Sequence, residues 1–171
     1  MMKKVLAAIS LSAIVLWFGD FGSVEAQTHG TALLQPASMK SADNDTVVTI
    51  ANLSVDRLRL VVGLEEMQAH IARMTKLGQK AGLMWMDLSD THIISIAVFQ
   101  QQRLLTDNEA KMALKVKAPK GESETREMYF ITGLDSFNEG FNLAAKGKYH
   151  FTVLLELNGK SHRTEFTYEV K

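Results

Sequence analysis

The chain has 171 residues, 19 basic and 19 acidic side chains, and no cysteine. So even a balance argues against nucleic acid or an anionic membrane surface as partner, since both favour an excess of positive charge. Without cysteine there is no disulfide framework, thiolate metal site, thiol redox chemistry or lipid-modified cysteine.

Met1–Ala26 (MMKKVLAAISLSAIVLWFGDFGSVEA) has the three-part layout of a secretory signal peptide. Lys3 and Lys4 form a basic start, Val5–Phe18 is an apolar run, and Val24-Glu25-Ala26 places small residues before a cut at Gln27. The run is 14 residues long, short of the ~20 that span a bilayer as a helix. It reads as a cleaved signal that leaves no stable membrane anchor, and the protein is expected in the periplasm or secreted. Gln27–Asp45 is polar and aperiodic and reads as a flexible lead-in. Residues 46–171 are then expected to form a single domain, long enough for a hydrophobic core without disulfides.

Thr46–Ile50 is β-branched and Arg57–Val62 alternates, so both read as strands, with Asn52–Asp56 as the turn between them. From Leu64 the period changes. Leu64, Met67, Ile71, Met74 and Leu77 recur at helical spacing, which predicts an amphipathic helix over 64–77. Glu65 and Glu66 in its first turn and Lys76 in its last would complement the helix dipole, and Gly78 would stop it.

Everything after Gly82 reads as β. His92–Phe99 is a nearly continuous apolar run, as in a strand buried on both faces. Lys111–Ala118 alternates strictly, and Glu127–Thr132 and Phe137–Leu143 are shorter candidates. Lys148–Leu157 and His162–Val170 flank Asn158-Gly159, a strong hairpin signal because both residues tolerate positive φ. About seven short strands with regular turn signals predict a mainly β fold, an antiparallel immunoglobulin-like β-sandwich with one inserted helix.

Several stretches, DTHIISIAVF (Asp90–Phe99), LTDNEA (Leu105–Ala110), Val116 with Pro119-Lys120-Gly121, and Gly140-Phe141 with Gly147-Lys148-Tyr149, resemble the YtkA-like group. These are secreted or membrane-attached immunoglobulin-like domains of bacteria. The resemblance covers about residues 90–170. It implies a binding or accessory module, in a group of which some members are associated with copper handling or the assembly of copper-containing oxidases.

Two constellations carry chemistry. Met67, His70 and Met74 fall within about 60° of one another around a helix, from 100° per residue. Two thioethers and an imidazole suit Cu(I), a soft ion. The plainer reading makes the methionines core positions of an amphipathic stripe with His70 at its edge. Met84 and Met86 flank Trp85, and His92 follows six residues later, a second set able to take Cu(I) or to pack a loop. Both sets border the same short segment, so Met67, His70, Met74, Met84, Met86 and His92 are the candidate metal ligands, and whether they converge on one site is left to the fold.

No nucleophile elbow, zinc-protease helix or phosphate-binding loop is present in the sequence. The chain is therefore expected to be a non-enzymatic periplasmic accessory protein that binds or delivers Cu(I). The alternative is an envelope interaction module with no metal, its methionines serving as packing. Either reading implies an envelope protein partner.

Overall fold

The computed structural model describes residues 46–78, 87 and 89–171. The expected signal peptide, the lead-in to Asp45, and Met84 and Met86 lie outside them. Along the chain run β1 (Val48–Val55), β2 (Leu58–Glu66), α1 (Met67–Lys76), β3 (His92–Gln100), β4 (Arg103–Leu104), β5 (Ala110–Lys117), β6 (Ser123–Ile131), β7 (Ser136–Phe141), β8 (Gly147–Leu157) and β9 (Lys160–Val170). The fold is mainly β and antiparallel, with nine strands among the described residues where about seven were expected.

The main path is β1-β2-β3-β7-β6-β5-β8-β9, with the short β4 on β3. β6 changes layers: residues Ser123–Met128 pair with β5, and Tyr129–Ile131 pair with β7. The end strands β1 and β9 come to lie side by side, so the sheet curls almost into a barrel. His162 Nδ1 on β9 meets Asp56 Oδ2 in the β1–β2 turn at 2.7 Å and bridges that seam.

The interior is built by strand alternation. Leu58, Leu60, Val62 and Leu64 of β2 face Met112, Leu114 and Val116 of β5 and Phe151, Val153 and Leu155 of β8 in one buried cluster. Each such side chain contributes about 1.5–3 kcal/mol on leaving water. Phe151 and Phe166, cross-strand partners, stack with ring centres 4.6 Å apart. Asn158 (φ 51°) and Gly159 (φ 71°) both occupy the left-handed region, as expected for this hairpin.

β1 and β2 run longer than the sequence suggested. Residues Asn52–Val55 continue the strand, and the turn is two residues at Asp56-Arg57. β2 continues to Glu66 because β3 supplies it with a full ladder: Leu64 pairs Ile94, Glu65 pairs Ile93, and Glu66 pairs His92. Leu64 is therefore a core strand residue and not the first helix position. α1 starts only at Met67, whose N–H donates to Thr91 O at 2.9 Å. Its first turn contains no acidic residue. It ends as expected: the Leu77 N–H returns to Arg73 O, the Gly78 N–H returns to Thr75 O, and Gly78 has φ 70°.

α1 lies on the outer face of β2 and β3, where Met67 packs on Ile93. Among the described residues no helix is long and apolar enough to cross a membrane.

The connection from β7 to β8 is held by a core residue. Tyr149 is buried, and its hydroxyl oxygen accepts the Ala145 N–H at 3.1 Å. Tyr149→Phe strands that N–H and is expected to cost about 1–2 kcal/mol, read as a lowered urea midpoint at unchanged slope. An unchanged midpoint would show that this bond does not hold the loop.

Candidate metal centre

The switch from strand to helix at Glu66–Met67 folds the chain back on itself. Glu65 leaves β2 on its outer face, the face α1 covers, and is only 2% exposed. His70 (0% exposed) and Arg73, one turn further on, meet it there. The His70 Nδ1 lies 2.9 Å from Glu65 Oε2. Arg73 grips the same carboxylate with both arms, Nε to Oε1 at 3.0 Å and Nη2 to Oε2 at 2.6 Å. Thr46 donates its hydroxyl to Oε1 at 2.5 Å.

Burial alone would drive the Glu65 carboxyl upward. The hydrogen bonds from His70, Arg73 and Thr46, with the charge of Arg73, outweigh it and bring the pKa from 4.5 down to about 2. Glu65 is thus a buried carboxylate anion, and it favours a proton on the facing Nδ1 of His70. A neutral His70 with its proton on Nδ1 donates to Glu65 and carries its lone pair on Nε2; Arg73 Nη2 also lies 3.3 Å from that Nδ1. That Nε2 is buried and has no hydrogen-bond partner, the sole such side-chain atom among the described residues.

Met67 and Met74 are buried on the same helix, three residues before and four after His70. Those spacings put all three on neighbouring positions of one helix face. The buried face is Met67, His70, Arg73 and Met74, while Leu77 is exposed and Ile71 half-buried. It is rotated from the expected apolar stripe toward the two polar residues, because Glu65 anchors them inward.

His92 lies elsewhere. It is the cross-strand partner of Glu66, and strand alternation turns it to the face opposite Ile93, on which Met67 packs. It is half-buried, its Nδ1 is 2.8 Å from Thr91 Oγ1, and burial lowers its pKa against the opposing pull of Glu66. Met84 and Met86 lie outside the described residues. Of the six residues expected to form a site, the structure brings Met67, His70 and Met74 onto one buried helix face.

A second charged cluster sits beyond Met67. Arg126 pairs with Asp90 through both nitrogens, and donates to Gly140 O at 2.8 Å and to Glu124 at 2.9 Å. It fills the place where β6 leaves β7 for the other layer and Gly140 loses a strand neighbour. Glu139 is buried alongside. Desolvation raises its pKa, with Asp90 and Glu124 adding to the rise and the Gly140 N–H and Arg126 offsetting part of it. A methyl on Gly140 would stand 2.7 Å from Asp90 Oδ2 and 3.3 Å from Met67 Cε, so the two clusters touch across this glycine. Among the described residues no group of three or more His, Asp or Glu side chains is arranged to hold a metal.

No protein-family model matches the chain, and neither does any curated protein sequence. The fold does have solved counterparts. A copper-bound variant of FetP from uropathogenic Escherichia coli superposes with a TM-score of 0.52 at 6% identity, over 70% of this chain and 93% of FetP. FetP expressed in the periplasm of E. coli, in its as-isolated form, gives 0.49 at 6% identity, over 71% and 93%. At that identity the likeness is one of fold.

The Glu65 cluster sets an acid limit on stability. Its folded pKa lies below the unfolded value, so its contribution is complete above about pH 4.5 and is lost as pH falls toward about 2. The amount is on the order of 3 kcal/mol. Glu65→Gln is expected to destabilise the protein at pH 7 by about 3–5 kcal/mol, because it leaves Arg73 without its anion, and by much less at pH 2–3. Denaturant titrations of both proteins across that range check this, and equal losses at both pH values would refute it.

Proposed function

We propose that this protein is a non-enzymatic accessory protein of the periplasm that binds or delivers Cu(I), with His70 Nε2 as the central ligand and the Met67 and Met74 sulfurs beside it. The observation that carries the reading is the unpaired Nε2. Buried side-chain nitrogens are satisfied as a rule, and exceptions call for an explanation. A histidine whose Nδ1–H is fixed by a carboxylate and whose Nε2 is left open has the arrangement of a metal ligand with its supporting partner. Thioether and imidazole donors favour a soft ion over a hard one. When bound, the ion would supply no catalysis; the residues hold it, orient it and shield it from water. The copper in the FetP structure, the resemblance to the YtkA-like group, and the secretory layout of Met1–Ala26 agree with this reading. The proposed mature chain starts at Gln27, with 27–45 as lead-in and 46–171 as the domain, and its partner would be an envelope protein that donates or accepts the ion.

One observation favours the other reading, an interaction module without metal: Met67 (2% exposed) and Met74 (0%) are sealed as core side chains are. A Cu(I) titration of the chain from Gln27 against a competing chelator separates the two. The expected result is one Cu(I) per chain. Met67→Leu/Met74→Leu keeps volume and costs less than ~1.5 kcal/mol of stability per site, yet should weaken Cu(I) binding at least about tenfold. His70→Ala should weaken it further, and the same titration on Met84→Leu/Met86→Leu tells whether those thioethers contribute. Absence of stoichiometric binding would make the methionines packing.

A further inference from the structure

We infer that the outer face of β5 and β8, around the β5–β6 turn, is a docking surface for an anionic lipid bilayer, with five exposed lysines making the contact. The inference goes beyond the metal reading and does not depend on it.

Strand alternation and register assemble the patch. Leu114 and Val116 of β5 and Tyr149 and Phe151 of β8 point into the core. Lys115, Lys117, Lys148 and His150 therefore stand on the opposite, outward face, and all four are exposed. Lys117 is the cross-strand partner of His150. Two loops extend the patch at the same end. Lys120 lies in the turn between β5 and β6, and Lys146 comes directly before β8. A methyl on Gly147 would stand 3.1 Å from Pro119, so the two loops are in contact.

Sheets ordinarily place opposite charges across from each other. Here the outward neighbours of Lys117 are Ser123 and His150, and those of Lys115 are Thr125 and Thr152. None of the five lysines forms an ion pair with a described acid. Glu165 is taken by Arg163 and Thr152, and Glu124 by Arg126. Glu169 opposite Lys148 and Glu122 in the turn are the acids at the patch, so five lysines face two acids. The even total of 19 basic and 19 acidic residues conceals this excess. Three of the balancing acids, Glu65, Asp90 and Glu139, are buried. The expectation against an anionic surface, drawn from the total, does not hold for this face.

Residue type selects the partner. Protein interfaces are depleted in lysine, and their hot spots are Trp, Tyr and Arg in desolvated pockets. The outward positions around Lys117 hold Ser, Thr, His and Lys instead. A flexible, strongly hydrated ammonium without a fixed fork matches mobile phosphate headgroups. Same-face residues on one strand are ~7 Å apart, within the screening length of about 8 Å in physiological salt, so the lysines act together. No large apolar side chain stands among them, so the contact is reversible adsorption without insertion. The secretory layout of Met1–Ala26 would bring the chain to such a bilayer.

The test is co-sedimentation of the chain from Gln27, free of the apolar leader, with phosphatidylcholine vesicles with or without phosphatidylglycerol. Binding is expected only with phosphatidylglycerol and should fall as salt rises. Each lysine near an anionic surface adds about fivefold. Lys117→Gln/Lys148→Gln should therefore weaken binding at least about tenfold. Lys111→Gln/Lys160→Gln removes the same charge outside the patch and should weaken it less than about twofold. All four positions are exposed, where substitution leaves stability nearly unchanged. Equal losses from the two pairs would show a response to net charge alone and overturn the inference. Binding to pure phosphatidylcholine, or to neither vesicle, would also overturn it. So would displacement by inorganic phosphate beyond that by chloride at equal ionic strength, the mark of a free-anion site. Tighter binding per charge to polyglutamate than to the vesicles would assign the face to an acidic protein and overturn the bilayer.

Discussion

A carboxylate anion buried beneath a helix is the constraint from which this end of the molecule follows. Glu65 keeps its charge inside the protein because donors from three places meet it: Thr46 before β1, and His70 and Arg73 on α1. Without them the charge would be several kcal/mol too costly to bury. With them, the helix is fixed both in place and in rotation. Met67 is brought against Ile93, and His70 is turned inward with one nitrogen engaged and the other open. A helix docked only by an apolar stripe would present Leu77 and Ile71 more deeply than this one does. The ionic anchor decides which face is buried.

The same device recurs at Asp90 and Arg126, where the cause is the sheet itself. β6 must leave β7 to join β5, and the parting strands expose the carbonyl of Gly140. Arg126 fills the gap, donating to that carbonyl and to Asp90, while its guanidinium lies over the Phe141 ring at 5.2 Å. Glu139 is left beside this pair with a weaker share of the positive charge, which is why its carboxyl is pushed upward where Glu65 is pushed down. Two acids of similar burial thus have opposite shifts, set by how many donors reach each one. Gly140 joins the clusters because its missing side chain leaves room for Asp90 and the Met67 methyl.

The charged groups of this region serve each other, and His70 Nε2 is left without a hydrogen-bond partner beneath the same helix. Met67 and Met74 are buried on the same helix face as His70. The likeness of fold to FetP extends over most of both chains. At 6% identity no residue around His70 follows from it, so the proposed copper reading rests on His70 Nε2.

Much of this was legible in the sequence, and the limits have a physical cause. The β class, the Asn158-Gly159 hairpin, the doubly buried β3, the stop at Gly78 and the common face of Met67, His70 and Met74 are local properties, written in periodicity and turn chemistry over a few residues. His70 and Arg73 were also within reach, as neighbours at i and i+3. Glu65 was not. On a continuous helix from Leu64 it would point about 140° away from His70, and no local signal brings them together. Pairing with β3 keeps Glu65 and Glu66 extended, and the turn into α1 at Met67 swings His70 back over Glu65. The layer change of β6, and with it the position of Arg126, likewise depends on which strands become neighbours. By itself the sequence determined the elements, their apolar faces and the soft donors on one of them. Tertiary structure alone decided where β2 ends and which acids meet which arginines. Strand pairing and ionic contact are made between residues distant in the chain, and their energies override the local period at the point where strand gives way to helix.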